Sequence, residues 1–548
     1  MAHTASNRRP GWRTPVSPSR LALVGIAAAL LLGCSAGPRA PEAPVGTSQA
    51  TLVILHTNDL HGQLEPWTGW EGALTGKRMG GFDRLAAVVR KVRQEVGESN
   101  VLLLDAGGAI GGSMIADATQ GQAVLQMMRG LRYDAMALGE SEADFSAEVL
   151  ARYAADDRLP MLGANVRSRT TGRPLGPPFL IRQVAGVRVG ILGLGYPNTP
   201  LTTVAKNVED VEYVRDSVGT VQEALEQMRD QGAQVVVVLS HLGLEADREL
   251  AAQVDGINVI VGGHSHNRLS RRLVVNGAEI VQAGAFGSDV GRVDLTVEGR
   301  QAITYDRRLI PLDNAVVSAD ADTARALASL LGPYRPALDR VVGRASSPIV
   351  RAQTLLGQEP IRRDAQSPAD SLFADILRSE THSEIALLPG VEYGVAIQPG
   401  PITASALRSL IPDRFRVVTV TMRGEEVRQV LEQSLENLLA DNPVRRVGGI
   451  IQVSGLRWIY DPNAAEGQRV LSVEVQGRPL DSSQRYAVVT NSLLAGGGDN
   501  YRQFSAGQER HEWGGEYEMV RTWLERAGPV AAPTDARTIA IAPALARR

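Results

Sequence analysis

The chain has 548 residues, enough for two or three domains that each bury a core of their own. Its 57 basic and 60 acidic residues leave a formal net charge of −3, so no field of one sign points to nucleic acid or an acidic membrane surface as partner. Aromatics are 4% of the chain, against 56 Gly and 29 Pro, which suits a loop-rich α/β protein better than a coiled coil or a disordered chain.

The N-terminal stretch reads as a targeting segment. Arg8, Arg9, Arg13 and Arg20 precede an apolar run from Leu21 to Leu32, which is short for a membrane span but right for the apolar region of a signal peptide. The run ends in Leu31-Leu32-Gly33-Cys34, which resembles the bacterial lipoprotein signal, whose cysteine is lipidated and becomes the first mature residue. The expectation is a signal peptide over residues 1–33 and a lipid anchor on Cys34 that holds the protein to the bacterial cell envelope, on a periplasmic or outer-membrane face. Cys34 is the only cysteine, so no intramolecular disulfide is expected. Residues 34–50 are rich in Pro, Ala and Gly without apolar period and read as a flexible tether.

From residue 51 strands and helices alternate. Thr51–His56 reads as a strand, and Gly81–Val96 carries apolar residues at helical spacing. Val101–Leu104 is a buried-strand pattern followed by the turn Gly107-Gly108-Ala109-Ile110-Gly111-Gly112. Gln120–Leu131 is helical in period, Asp134–Leu138 strand-like, and Val187–Leu192, Gln234–Leu239 and Ile257–Val261 are apolar strand runs, with a helical period over Asp216–Gln231. Gly277–Ile310 alternates as β structure. Such interleaving implies a layered sheet covered by helices. The pattern predicts a first domain over 51–315, a linker helix within 316–342 (Asp320–Val342) and a second domain over 343–545. In the second, a hairpin is expected around Arg416–Arg423 and a strand over Ile450–Tyr460.

Eight histidines serve as a ruler. His61, His241, His264 and His266 all fall just beyond predicted strands, and Asp59 lies two residues before His61. Ligands collect beyond the carboxyl ends of strands in α/β sheets, and imidazole and carboxylate are competent metal ligands. One such histidine is ordinary; four in equivalent places beside an aspartate point to a metal site.

The motifs His56–Gly62 (HTNDLHG), Leu102–Gly107 (LLLDAG), Ser240–Gly243 (SHLG) and Gly262–His266 (GGHSH) resemble the calcineurin-like metallophosphoesterase domain of the 5′-nucleotidase/UDP-sugar hydrolase family. Val453–Asp461 and Tyr486–Tyr501 look like that family's C-terminal substrate domain. The resemblance implies a four-layer αββα metallophosphoesterase domain joined to a mixed α/β C-terminal domain. It also implies one or two divalent ions (Mn, Zn, Fe, Co or Mg), hydrolysis of nucleotides or other phosphate esters, and no nucleic-acid binding. By residue-for-residue carry-over, Asp59, His61 and His266 match ligands of one metal, and His241 and His264 ligands of the other.

Two central motifs depart from the family. Its Gly-Asp turn, whose Asp bridges the metals, is Gly107-Gly108 here; its Gly-Asn-His-Glu, with a ligand Asn and a catalytic His, is Gly139-Glu140-Ser141-Glu142. The family's partner aspartate persists as Asp144, the candidate catalytic residue. Two dications ~3.5 Å apart repel by roughly 19 kcal/mol even at an effective dielectric near 20, so a site without the bridge is expected to be weaker. Ser141 does not titrate near neutrality as imidazole does. A carboxylate lost at Gly108 is offset by one gained at Glu140, which is either a relocated ligand or, with Glu142, a solvated loop residue.

The substrate loop has likewise changed, to Pro389-Gly390-Val391-Glu392-Tyr393-Gly394, without the family's Asn and Arg. Asp499 in Gly497-Gly498-Asp499 either contacts ribose hydroxyls or stabilises its own turn; Tyr501 beside it is a candidate substrate-binding residue, and Phe415 and Tyr393 are candidate base-stacking residues. Three readings follow: a phosphate-ester hydrolase with altered or weak activity, a degenerate relative that binds a metal, a nucleotide-like ligand or an envelope partner without turnover, and a hydrolase of another ester built around Glu392 and Tyr393.

Overall fold

The computed structural model describes residues 50–69, 74–298, 301–351, 365–390, 395–442 and 445–542. Cys34, the signal segment, most of the tether, Glu392 and Tyr393 lie outside them.

The first strand shows how the layers arise. In Ala50–Thr57, Val53 and Leu55 face one core and Leu52 and Ile54 another, the period of two that a strand buried on both faces requires. This strand sits inside a six-stranded sheet in the order Gln301–Pro311, Asp289–Glu298, Ala50–Thr57, Val101–Asp105, Ala135–Ala137, Met161–Leu162. The last four run parallel, and the first two return antiparallel. A second six-stranded sheet has the order Val274–Val275, Ala278–Val281, Val259–Gly262, Val235–Ser240, Val187–Leu194, Phe179–Val184, parallel through its centre.

The sheets pack face to face through Leu52, Ile54, Leu102 and Leu104 against Ile191, Val237, Leu239 and Val261. Helix Phe82–Val96 covers the outer face of the first sheet with Leu85, Val89 and Val92. Helices Ser217–Asp230 and Leu244–Gln253 cover the second with Val221, Leu225, Met228 and Leu250. The result is helix, sheet, sheet, helix, the four-layer architecture expected. The carboxyl ends of the parallel strands open at one edge, where their loops gather.

The C-terminal module is mixed α/β. Its five-stranded sheet has the order Gln452–Ser454, Ile385–Leu388, Arg485–Asn491, Arg416–Arg423, Gln508–Gly515. Helix Gly424–Leu439 packs on the side of Ile385 and Leu387, and helix Pro368–Glu380 on the side of Ala386 and Leu388. Asp117 of the first module reaches two arginines of the second, Arg408 (2.5 Å) and Arg414 (2.7 Å).

Three local expectations change. The long helix over Asp320–Val342 is instead Ala321–Leu331, a turn at Gly332–Tyr334 and a short Arg335–Leu338. Pro333 lacks the N–H that a continuous helix would use. Val341–Ala345 is a strand paired with Gly400–Thr403. Arg416–Arg423 is not a hairpin but one strand paired on both sides. The strand over Ile450–Tyr460 breaks at Gly455, where φ is +77° and a Cβ would lie 2.1 Å from the carbonyl of Glu384. Among the described residues no helix is long and apolar enough to cross a membrane.

Candidate metal centre

The loop after the first strand is stitched to the glycine turn after the second. Asp59, His61 and Gly62 donate backbone N–H groups to the carbonyls of Gly107, Gly108 and Ala109 at 2.8–2.9 Å. These bonds hold the loop in a conformation that L-residues avoid: φ is +51° at Asp59 and +45° at His61. His264 (+69°) and His266 (+55°), beyond the strand Val259–Gly262, are left-handed as well. Each such residue costs on the order of 1–2 kcal/mol, and such strain concentrates at functional sites.

The fold brings the six sequence-predicted ligand residues into two adjoining groups, Asp59–His61–His266 and Glu140–His241–His264. In the first, Nε2 of His61 and Nε2 of His266 are 3.0 Å apart, with Asp59 Oδ1 at 3.8 and 3.5 Å from them. In the second, Glu140 Oε2 is in direct contact with His241 Nε2 and 3.4 Å from His264 Nδ1. Asp59, His61, His241 and His266 are almost wholly buried, and the Glu140 side chain is 15% exposed.

The donor set fits a divalent cation. His241 Nδ1 lies 2.7 Å from the Ala106 carbonyl, which only accepts, so Nδ1 carries the proton and Nε2 is turned towards Glu140 and Asp59. Nε2 of His241, Nδ1 of His264 and Oε2 of Glu140 are buried and converge without a hydrogen bond of acceptable geometry. Nitrogen and carboxylate donors aimed at one another in this way are what a cation would reconcile. Without one, a proton on His241 balances the carboxylates. Burial lowers the His241 pKa, but Glu140 and then Asp59 outweigh it and hold the ring up at about 10. Asp59 is held down at about 2: burial opposes ionisation, and His266, then His241 and His61, overcome it. His61 is pushed down to about 3 by burial and by His266.

Glu142 is no solvated loop residue. Its fully buried carboxylate accepts four backbone N–H groups, from Gly108 (3.0 Å), Ala109 (2.8 Å), Ile110 (3.2 Å) and Gly139 (2.7 Å). It thus ties the glycine turn to the loop that carries Glu140. Ser141 is 1% exposed and is absent from the lining of the cleft.

That cleft, open to solvent, runs between the modules. Glu140, Asp144, His264 and His266 line one wall; Asp413, Phe415 and Asp499 line the other. Burial, then the charges of Asp413 and Glu140, push the Asp144 carboxyl well above the usual range. Of the candidate substrate residues, Phe415 and Asp499 lie at the cleft. Tyr501 does not: it is 1% exposed, packed edge-on against Phe504 in the core of the C-terminal module. An aromatic after a glycine turn fills the core instead of facing a substrate.

Sequence reasoning also passed over Tyr196, which stacks on His264 with ring centroids 3.9 Å apart, and Phe286, whose ring contacts both His61 and His266 at 5.7 Å. Tyr196 follows the strand Val187–Leu194 as the ligand residues follow theirs, so the strand-end rule would have found it. Phe286, at φ +55° in an irregular loop, left no such signal.

Residues 52–268 match the calcineurin-like phosphoesterase family, and residues 341–506 match the 5′-nucleotidase C-terminal domain. The chain belongs to the 5′-nucleotidase family. Within that family it is 26% identical to the snake venom 5′-nucleotidase of Naja atra, over 89% of this chain and 98% of that protein. It is 27% identical to a probable 5′-nucleotidase of Treponema pallidum, over 82% of this chain and 87% of that one. The solved structure of a 5′-nucleotidase precursor from Thermus thermophilus superposes with a TM-score of 0.81 at 29% identity, covering 90% of this chain and all of that one. Calcineurin-like phosphoesterases use divalent metals, and the two residue groups above are candidate places for them in this family member.

Proposed function

We propose that the protein hydrolyses phosphate esters of nucleotide-like small molecules at the edge of the cleft where the two ligand groups meet. The observation that carries this reading is the convergence of Asp59, His61 and His266 beside Glu140, His241 and His264, of which Glu140, His264 and His266 line one wall of that cleft. A divalent cation bound there would neutralise phosphoryl oxygens and activate water. Asp59, His61 and His266 would hold one ion, and Glu140, His241 and His264 another, with His241 giving up its Nε2 proton on binding. Phe415 offers an apolar face to a base, and Asp499 a carboxylate to sugar hydroxyls. With Ser141 outside the cleft, Asp144 would protonate the leaving oxygen: it lines the cleft, and its raised pKa keeps a proton available. The signal pattern supports attachment to the bacterial envelope through Cys34.

The test is turnover of AMP, UDP-glucose and a chromogenic phosphate diester with added Mn²⁺, Zn²⁺, Co²⁺ or Mg²⁺. Metal-dependent hydrolysis lost in His241→Ala is expected. A metal-loaded protein that hydrolyses none of them would instead favour the second reading, ligand binding without turnover. That reading draws on the same absence of an imidazole at Ser141.

A further inference from the structure

The two ligand groups adjoin at a single oxygen. Asp59 Oδ1 lies 3.5 Å from His266 Nε2 and 3.8 Å from His61 Nε2 on one side, and 3.7 Å from His241 Nε2 on the other. Glu140, by comparison, lies against His241 Nε2 and 3.4 Å from His264 Nδ1, both of the second group. Metal–ligand bonds of ~2.0–2.2 Å place neighbouring ligand atoms roughly 3.0–3.5 Å apart, so these separations are those of a slightly expanded ligand shell on either side of Oδ1.

The carboxylate is held for that position. Oδ2 accepts from Asn58 Nδ2 at 2.7 Å, and Oδ1 accepts from the backbone N–H of His264 at 3.0 Å, so the group cannot rotate freely. Asn58 is fixed in turn by the Gly284 carbonyl (2.6 Å) and the Ala283 N–H (2.8 Å). Gly108 has no room for a side chain at the seam. A Cβ on Gly108 would stand 2.8 Å from Asp59 Oδ1 and 2.9 Å from His241 Cε1, at a φ of +72°. Two dications side by side repel strongly and need an anion between them. Asp59 Oδ1 is the anionic atom placed there.

We propose that Asp59 is the shared ligand of both metal positions, with Glu140 the end-on carboxylate of the second alone. The inference rests on reading the two groups as metal positions, as above. It is tested on the full chain by Mn²⁺ titration, with bound metal counted by equilibrium dialysis and elemental analysis and coupling read by electron paramagnetic resonance. Two Mn²⁺ per chain with an exchange-coupled signal are expected. Glu140→Gln should keep one ion with an uncoupled signal. Asp59→Asn should weaken both positions by more than tenfold and abolish coupling. Asp59→Asn that retains one ion at wild-type affinity overturns the proposal, as does a wild-type protein holding one ion or two uncoupled ones. If Asp59→Asn does not fold, Gly108→Ala decides: its methyl presses on the shared oxygen, so both positions must weaken together, and weakening of one or neither is refutation. Coupled metals without turnover would sink the hydrolase reading and leave this one standing; turnover with a single ion would do the reverse.

Discussion

Glu142→Gln probes the tie that sets the glycine turn against the Glu140 loop. The wild-type carboxylate accepts four backbone N–H groups, two on each oxygen. An amide keeps one acceptor oxygen and offers an NH₂ where the other stood. Either the pair from Gly108 and Gly139 or the pair from Ala109 and Ile110 then faces a donor. Each buried N–H left unsatisfied costs ~1–3 kcal/mol, so local opening of this segment should become easier by about 2–6 kcal/mol. Even the lower bound is about 30-fold in exchange rate. Native-state hydrogen exchange by mass spectrometry, on peptides covering residues 105–112 and 137–142, should show that acceleration while the strand Val235–Ser240 keeps its protection. Unchanged exchange in the two peptides would refute the reasoning. So would an equal rise across the whole first module, because that would make Glu142 a contributor to global stability only.

Two further outcomes follow from buried charge. Asp247 is fully buried, and burial raises its pKa from 3.8 to about 7, against the opposing hydrogen bond from Ser240. Because the folded value exceeds the unfolded one, the stabilising contribution is complete below about pH 4 and is lost as pH rises through about 7. Chemical unfolding of the chelator-treated protein should lose about 3 kcal/mol more between pH 5 and 8 than Asp247→Asn does; parallel pH profiles would contradict this. Asp117→Asn removes the counter-charge of Arg408, which is 5% exposed, and of Arg414, which is half-exposed. A loss of about 2 kcal/mol is expected in urea unfolding, discounted for the exposed arginine, and a change below about 0.5 kcal/mol would show the clasp to be decorative.

What was legible before the structure was whatever has a period or a strand end. The continuous apolar runs Leu52–Leu55, Val235–Leu239 and Val259–Val261 located the two sheets, and the residues just past them located His61, His241, His264 and His266. Direction off an irregular loop was not legible. Glu140 and Glu142 lie two residues apart in one short turn, yet one meets His241 and the other is consumed by backbone N–H groups. Tyr501 and Phe415 were alike as sequence, and only packing sent the first into the core and the second to the cleft. The long helix failed at Pro333 because apolar spacing alone outweighed a residue that interrupts the hydrogen-bond ladder.

Gly108 has a consequence for the history open to this protein. The space where relatives by resemblance carry a carboxylate is now occupied, since any Cβ there meets Asp59 Oδ1 and His241 within 3 Å. A lone reversion to aspartate would strike the very residues it should assist, and it would add a third carboxylate to a site already supplied by Glu140. A carboxylate can therefore enter this turn only together with a shift of Asp59 and His241, which makes Gly108 a position where a single substitution reshapes both ligand groups at once.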